Sequence, residues 1–239
     1  MVRLLVFHHA GGSGAGYYPL SRALPRGWDL LLVDLPGRGR RHAEPPLSEL
    51  HAIVDDLVAA LTPWADAPLA LFGHSLGAVV ATEVARGLTR DGLSPTWLGV
   101  SGRVPPALQA YSRRRLAELP DEQLVPELTA MGGLPERVLD LAEFRERFLP
   151  VVRSDLRAVD SYRPDPGRAA LTCPITAFGG ESDQWAPPHA LQQWRRETTG
   201  GFDLRLFPGG HFYFLGAHFP ALASVIMASA GDAAELAAA

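Results

Sequence analysis

Gly73-His74-Ser75-Leu76-Gly77 lies between an apolar run, Leu69-Ala70-Leu71-Phe72, and a helix-like run from Ala78 to Arg90. A G-x-S-x-G pentapeptide at a strand-to-helix junction is typical of a nucleophile elbow, a sharp turn that holds the serine hydroxyl clear of both elements. Gly73 and Gly77 suit such a turn because a Cβ at either position would clash where the strand and the helix nearly touch. The stretch therefore predicts a nucleophilic serine between a buried strand and a helix.

Short apolar runs alternate with helix-period segments along the rest of the chain. The runs are continuously apolar, as expected for a parallel sheet with helices on both faces. The predicted strands are Arg3–Phe7, Leu30–Leu35, Leu69–Phe72, Trp97–Ser101, Ile175–Gly179 and Leu204–Phe207. With the elbow, this pattern predicts the α/β class and an α/β-hydrolase fold, with a mostly parallel central sheet in one domain over residues 1–239.

The stretch from Val104 to Pro166 breaks this alternation, because it contains helix-like segments and no predicted strand. The segments are Asp121–Met131 and Pro135–Tyr162. An all-helical insertion after a strand, at the edge where ligands bind in such sheets, predicts a lid over the site at residues 104–166. The alternative is that these helices only extend the scaffold.

Composition excludes several classes of protein. The 239 residues carry a formal net charge of −4, which argues against a nucleic-acid partner. The single Cys173 excludes a disulfide framework and fits a reducing compartment. We expect no signal peptide and no membrane span, because no apolar run approaches the ~20 residues that a span requires. We therefore expect a cytoplasmic protein. The sequence does not determine the oligomeric state, and a monomer is the default expectation.

The base that would activate Ser75 is sought downstream, because in α/β-hydrolases the partners follow in the order serine, acid, histidine. His211 lies just past the last predicted strand, and two glycines before it leave room for the ring to reach the serine. His189 and His218 fall within predicted helices and are better explained as surface or packing residues. The order therefore favours His211.

The acid that orients the histidine is expected after an earlier strand. Asp183 and Glu181 both follow the Ile175–Gly179 strand, and Asp183 is favoured because it lies a few residues past the glycines. Some relatives of this fold carry the acid one strand earlier, but Gly102-Arg103-Val104-Pro105-Pro106 has no carboxylate. Ser75, Asp183 and His211 are thus the predicted catalytic residues.

An oxyanion hole needs two backbone N–H groups aimed at the reacting carbonyl. Leu76 is one predicted donor because it follows the nucleophile, and Ala10 is the other because it lies in the loop after the first strand. His8 and His9 in that loop could suggest a metal, but adjacent side chains rarely converge on one ion. No metal is therefore predicted.

Six motifs in their observed order together resemble the type II thioesterases that accompany polyketide synthases and nonribosomal peptide synthetases. They are Phe7-His8-His9-Ala10-Gly11-Gly12-Ser13, Leu35-Pro36-Gly37-Arg38-Gly39-Arg40, Gly73-His74-Ser75-Leu76-Gly77, Ser101-Gly102-Arg103, Met131-Gly132-Gly133 and Phe207-Pro208-Gly209-Gly210-His211-Phe212. The resemblance implies hydrolysis of acyl groups from the phosphopantetheine arm of acyl or peptidyl carrier proteins. The substrate carries that arm, and the enzyme needs no cofactor. His8 departs from the family, which usually has proline there.

The resemblance also implies an acyl chamber and a docking surface for an acidic carrier protein. Helical spacing favours Leu128, Met131, Phe144 and Phe148 as chamber residues, with ordinary helix packing as the alternative. Arg113, Arg114 and Arg115 are the main docking candidates, and Arg38, Arg40, Arg41 and Arg103 are further ones, with solvated surface charge as the alternative. A small-molecule or lipid carboxylesterase of the same fold, and a non-catalytic carrier-protein-binding protein, are the other functions to be weighed.

Overall fold

A parallel sheet in the order β2-β1-β3-β4-β5-β6 runs through the centre of the chain. The computed structural model describes residues 2–109, 115–133, 141 and 143–238. Its strands are β1 Val2–Phe7, β2 Trp28–Val33, β3 Leu69–His74, β4 Trp97–Ser101, β5 Ile175–Gly180 and β6 Phe202–Phe207. Every pairing between these strands is parallel, so their carboxyl ends meet at one edge.

Helices cover both faces of this sheet, because side chains alternate between the faces along each strand. Leu5 packs with the helices Leu50–Leu61 and Leu76–Arg90 on one face, while Leu4 packs on the other face with the helix Phe219–Ala238 and the 3₁₀ helix Gly14–Arg22. The α-helices are α1 Leu50–Leu61, α2 Leu76–Arg90, α3 Pro106–Gln109, α4 Asp121–Ala130, α5 Leu149–Ser161, α6 Pro188–Leu191 and α7 Phe219–Ala238. The predicted α/β-hydrolase architecture is confirmed.

The second strand begins and ends two residues earlier than predicted. Its register with β1 pairs Val2 with Trp28 and Phe7 with Val33. Leu35, predicted as the last strand residue, lies in the following loop but is still buried in the core. Leu35 is apolar because it is buried, not because it pairs in the sheet. An apolar run alone therefore places the end of β2 too late.

Among the described residues, the C-terminal helix is the one segment that meets the length and composition of a membrane span, a test that the core helices of globular proteins also pass. Gly216–Ala238 has 23 residues, and an 18-residue window within it has a mean hydropathy of 1.3. Its apolar face buries Phe219, Leu222 and Ile226 against the sheet. Small residues, mostly alanine, separate these larger side chains, so the sequence shows no continuous run of large apolar residues here.

The insertion contains helices throughout its described part. Besides α3, α4 and α5, it contains a 3₁₀ turn at Leu116–Glu118 and a π-helical turn at Phe144–Phe148. Most of its buried apolar side chains form a separate cluster, against which Ala10 and Trp185 from the strand-end loops also pack. The insertion therefore lies against the carboxyl edge of the sheet.

Candidate active site

Ser75 lies at a strained turn between β3 and α2. Its φ of 56° and ψ of −115° are unusual for a residue with a side chain. Its N–H donates to the Ser101 carbonyl oxygen at 2.8 Å, which fixes the turn against β4. A Cβ at Gly73 would collide with the Gly77 carbonyl group, and a Cβ at Gly77 with the Phe7 carbonyl oxygen. The two glycines are therefore required by the close approach of strand and helix.

The three predicted catalytic side chains lie in one hydrogen-bonded row. His211 Nε2 is 3.1 Å from Ser75 Oγ, and His211 Nδ1 is 2.9 Å from Asp183 Oδ2. Asp183 Oδ1 accepts the N–H groups of Trp185 at 2.8 Å and Ala186 at 3.2 Å, so its own loop holds the carboxylate. Asp183 and His211 are both buried. This geometry lets a proton pass from the hydroxyl to an imidazole that a carboxylate orients.

The alternative acid and bases lie on the surface. Glu181, His189 and His218 are all exposed, whereas Asp183 is 2% exposed and contacts the ring of His211. The choice of Asp183 and His211, made from chain order and strand ends, therefore selects the two side chains that contact each other.

The two predicted oxyanion donors border the same cavity as Ser75. Leu76 is the first residue of α2, and Ala10 lies in a turn closed by a hydrogen bond from Gly12 N–H to the His9 carbonyl oxygen at 2.9 Å. Gly11 has a φ of +73°, as the third residue of a type II turn requires. The turn and the start of the helix both face the space beside the Ser75 hydroxyl.

His8 is buried and braces this loop. Its Nδ1 donates to the His9 carbonyl oxygen at 2.8 Å, and its Nε2 accepts the Leu35 N–H at 3.4 Å. Burial lowers the pKa of His8, so the ring stays neutral with its proton on Nδ1. The ring therefore supports the loop that contains Ala10.

Two further neutral imidazoles lie beside His211. Burial, with smaller contributions from the neighbouring His8 and His211, lowers the pKa of His9 to about 3. Burial, with smaller contributions from His211 and His9, lowers the pKa of His74 well below its usual value. His9 contacts the Tyr17 hydroxyl at 3.2 Å, and His74 contacts Ser101 Oγ at 2.8 Å. Within the described residues, no group of three or more His, Cys, Asp or Glu side chains could hold a metal ion.

A cavity of about 330 Å³ opens above Ser75. Most of its wall is apolar and comes from the insertion. The lining includes the predicted Leu128, Met131 and Phe148, and also Leu108, Leu116, Val152, Leu156 and Val159. The Phe144 side chain lies outside the described part of the structure. The cavity could therefore hold an acyl group beside the serine.

Several polar wall residues were not predicted. Gln184 and Trp185 follow Asp183 directly, while Asp160 comes from α5. Burial lowers the pKa of Arg103, which also lines the cavity, to about 10, and burial raises the pKa of Asp160. Asp160 reaches the wall because the insertion folds back over the edge of the sheet, so the local sequence carried no signal for its position.

The docking candidates separate into exposed and buried arginines. Arg113 and Arg114 lie outside the described residues. Arg115 is exposed and pairs with Glu118 at 2.9 Å. Arg38 is buried against Asp155, so the suggestion that it docks a partner was wrong. Arg103 lies in the cavity wall, and a docking role for it stays a prediction.

A parallel sheet with a serine elbow, and a histidine and a carboxylate at neighbouring strand ends, defines a hydrolase of the α/β-hydrolase fold. The model of the thioesterase domain family matches residues 2–230, and the chain belongs to that family. It is thus a hydrolase that acts on thioesters.

Comparison with individual relatives shows which kind of thioesterase this chain resembles. Thioesterase PikA5 of Streptomyces venezuelae is 42% identical over 214 residues, which cover 89% of this chain and 75% of that protein. The solved thioesterase RedJ from the prodiginine biosynthetic pathway of Streptomyces coelicolor is 36% identical, with a TM-score of 0.87 and coverage of 94% of this chain and 85% of that one. YbtT, a type II thioesterase from the yersiniabactin NRPS/PKS biosynthetic pathway, is 30% identical, with a TM-score of 0.86 and coverage of 97% and 94%. The resemblance to type II thioesterases is confirmed.

Proposed function

We propose that this chain is an editing thioesterase that removes acyl groups from the phosphopantetheine arm of acyl or peptidyl carrier proteins. The contact of Ser75 with His211, and of His211 with Asp183, carries this proposal, because Ser75 and His211 border a cavity sized for an acyl chain. The similarity to thioesterases of polyketide and nonribosomal peptide pathways supports the choice of substrate.

The first half of the reaction transfers the acyl group to the enzyme. His211 Nε2 takes the Ser75 proton as Oγ attacks the thioester carbonyl carbon, and Asp183 stabilises the imidazolium that forms. The N–H groups of Ala10 and Leu76 stabilise the negative charge on the carbonyl oxygen. The carbon–sulfur bond then breaks, and the arm leaves as a thiol with the proton from His211. An acyl-serine remains.

The second half releases the acid. A water molecule gives a proton to His211 Nε2 and attacks the acyl carbon through its oxygen. The bond to Ser75 Oγ breaks, and the serine regains a proton from His211. The enzyme returns to its starting state with a carboxylic acid as product, so the reaction requires no cofactor.

The cavity is the proposed chamber for the acyl chain, and the insertion at residues 104–166 is its proposed lid. Leu128 and Met131 offer apolar surface on one side, and Phe148 offers it near the Ala10 turn. Each methylene that leaves water contributes ~0.8 kcal/mol at most. Chain-length preference is therefore graded rather than absolute.

An oxygen-ester hydrolase could use the same three side chains. A thiol leaving group has a pKa of ~8.5, far below that of an alcohol, and needs less protonation to depart. The chemistry of the row therefore does not separate thioesters from esters, and family membership favours thioesters. Comparison of kcat/KM on an acyl-loaded carrier protein and on a matched oxygen ester separates the two.

The test of the proposal is acyl release by the wild type and by Ser75→Ala over a panel of acyl-loaded carrier proteins. The wild type should release the acid and react with a fluorophosphonate at Ser75. The variant should lose both, with a fall in kcat of about 10⁶-fold. If Ser75→Ala keeps a tenth of the activity, the mechanism is wrong. If the wild type binds carriers without turnover, the chain is a binding protein.

A further inference from the structure

A buried carboxylate on α5 contacts the turn that contains Ala10. Asp155 is fully buried, and its Oδ2 accepts the Gly11 N–H at 2.7 Å. The same oxygen contacts Arg38 Nη1 at 2.5 Å. One side chain of the insertion thus joins two loops that follow β1 and β2.

The contact fixes the orientation of one peptide group in the turn. The Gly11 N–H belongs to the peptide between Ala10 and Gly11, which is the central peptide of the turn from His9 to Gly12. In a type II turn this peptide is flipped relative to type I, and the positive φ of Gly11 accompanies that flip. An acceptor at Asp155 therefore favours the flipped state of this peptide. The Ala10 N–H belongs to the preceding peptide, whose orientation is the same in both turn types, so Asp155 acts on it by holding the whole turn in place against α5.

Side-chain packing reinforces the same contact. A Cβ at Gly11 would come within 2.6 Å of Val152 Cγ2 and 2.8 Å of Phe148 Cζ. Val152 lies on α5, one turn before Asp155, and Phe148 lies just before that helix. The turn is thus pressed against the insertion by apolar contacts and held there by a hydrogen bond.

The ion pair explains how a carboxylate is tolerated at this depth. A buried charge is costly unless it is paired, and the Arg38 guanidinium supplies the opposite charge. Arg38 is itself held by the Pro36 carbonyl oxygen, which accepts from Nη2 at 2.9 Å and from Nε at 3.3 Å. Among the described residues, Asp155 Oδ1 has no hydrogen-bond partner. The side chain therefore uses one oxygen for both contacts, which links the Gly11 N–H directly to the charge of Arg38.

We propose that Asp155, held by Arg38, is a positioning residue that sets the Ala10 N–H of the oxyanion hole. The inference rests on the proposed function, because it takes Ala10 as a donor to the reacting carbonyl. It makes assembly of the oxyanion hole depend on the seating of α5 against the turn. Asp155 does not touch the substrate and acts through the peptide group of Gly11.

The test distinguishes two roles of Asp155: accepting the Gly11 N–H, and stabilising the fold through its ion pair with Arg38. Replacing both charges with apolar residues of similar size, as in Arg38→Met/Asp155→Leu, is often neutral or stabilising. The double variant should therefore stay folded while the Gly11 N–H loses its acceptor. Hydrolysis of a small acyl thioester and inhibition by a matched trifluoromethyl ketone are measured for this variant and for the wild type.

We expect kcat to fall by about 10- to 100-fold, because loss of one oxyanion donor costs about 10²- to 10³-fold and displacement costs less. KM should stay within about twofold. Inhibition by the trifluoromethyl ketone, whose adduct with Ser75 carries an oxyanion, should weaken by the same factor as kcat. Unchanged kcat in the folded double variant, or a change in KM alone, would overturn the proposal.

Two single variants keep the test decisive if the double variant does not fold. Asp155→Asn retains an oxygen that can accept the Gly11 N–H, whereas Asp155→Ala does not, so kcat should be higher for Asp155→Asn. Equal kcat values for the two variants would contradict the proposal.

A matched control breaks a buried ion pair far from the turn. Glu197→Gln weakens the pairs of Glu197 with Arg86 and Arg168, each at 2.7 Å, and should lower stability while kcat stays unchanged. A fall in kcat for Glu197→Gln that matches the Asp155 variants would attribute both effects to destabilisation and overturn the proposal. Wild-type protein that resists both the fluorophosphonate and the ketone would instead refute the proposed function.

Discussion

Asp183 contacts His211 through one carboxylate oxygen and its own loop through the other. Oδ2 is 2.9 Å from His211 Nδ1, and Oδ1 accepts two backbone N–H groups, from Trp185 and Ala186. The carboxylate cannot rotate without breaking one of these sets of contacts. The ring of His211 is thereby held with its Nε2 toward Ser75.

Asp183→Asn should lower kcat by about 10⁴-fold, because an amide can donate to Nδ1 and favour the wrong tautomer of His211. The fold should persist, since the amide oxygen can still accept from the loop. Steady-state kinetics on a small acyl thioester measure the loss. Glu181→Gln, an exposed neighbour, is the matched control and should keep wild-type kcat. Wild-type activity in Asp183→Asn would show that another acid orients the ring.

Stability should fall as the pH drops below about 6.5, because buried histidines stay neutral in the folded chain. Burial lowers the pKa of His9 to about 3, and burial also lowers the pKa values of His8 and His74. Below 6.5 the unfolded chain binds more protons than the folded chain, so the stability present above that pH is lost toward pH 3. Each such group adds a slope of up to about 1.4 kcal/mol per pH unit. Urea unfolding between pH 4 and 7 measures the sum.

His9→Gln tests the share of one ring in that slope. The variant lacks one titrating group, so its unfolding free energy should depend less steeply on pH than that of the wild type between pH 4 and 6. His189→Gln replaces an exposed histidine and should leave the slope unchanged. Parallel curves for wild type and His9→Gln would mean that His9 is not held neutral by burial.

Acyl-chain preference should rise gradually with length until the cavity is filled. Each added methylene can increase kcat/KM by up to about fourfold, as ~0.8 kcal/mol of transfer free energy implies. Leu128→Ala removes part of the apolar wall and should flatten this rise without changing kcat for a two-carbon substrate. Rates on matched two- to ten-carbon thioesters measure the effect. A flat profile in the wild type would contradict an apolar chamber.

Charge reversal at Arg113, Arg114 and Arg115 should weaken turnover of acyl groups on a carrier protein by roughly tenfold and spare small-molecule thioesters. The reason is loss of attraction to an acidic partner, an effect that added salt should diminish. Arg90→Glu, at the far end of α2 from Ser75, is the control. Equal losses on both substrate types would argue against docking at this surface.

The elbow and its partners could be predicted because each is a local signal at the end of an apolar strand. The two glycines around Ser75 follow from a contact between adjacent elements, and Asp183 and His211 follow from the common edge where parallel strands end. Chain order then excluded the exposed alternatives. For these residues, short stretches of sequence determine the position in space.

The residues that sequence reasoning missed act over long separations. Asp155 meets Gly11 across 144 positions and Arg38 across 117, and no local pattern marks those partners. Arg38 looked like a surface charge because arginine is usually exposed, yet Asp155 compensates for its burial. Such pairs become visible once the packing of the insertion is known.

The backbone conformation that Ser75 needs for catalysis lowers the stability of the fold. Among the described residues, Ser75 is the one non-glycine with a positive φ, a conformation that costs about 1–3 kcal/mol. Glycine would adopt it without that cost, so Ser75→Gly should melt at a higher temperature than the wild type while being catalytically dead. A directed-evolution campaign that rewards heat resistance alone would therefore enrich for enzymes without a nucleophile, and any thermostability screen on this scaffold needs a turnover filter.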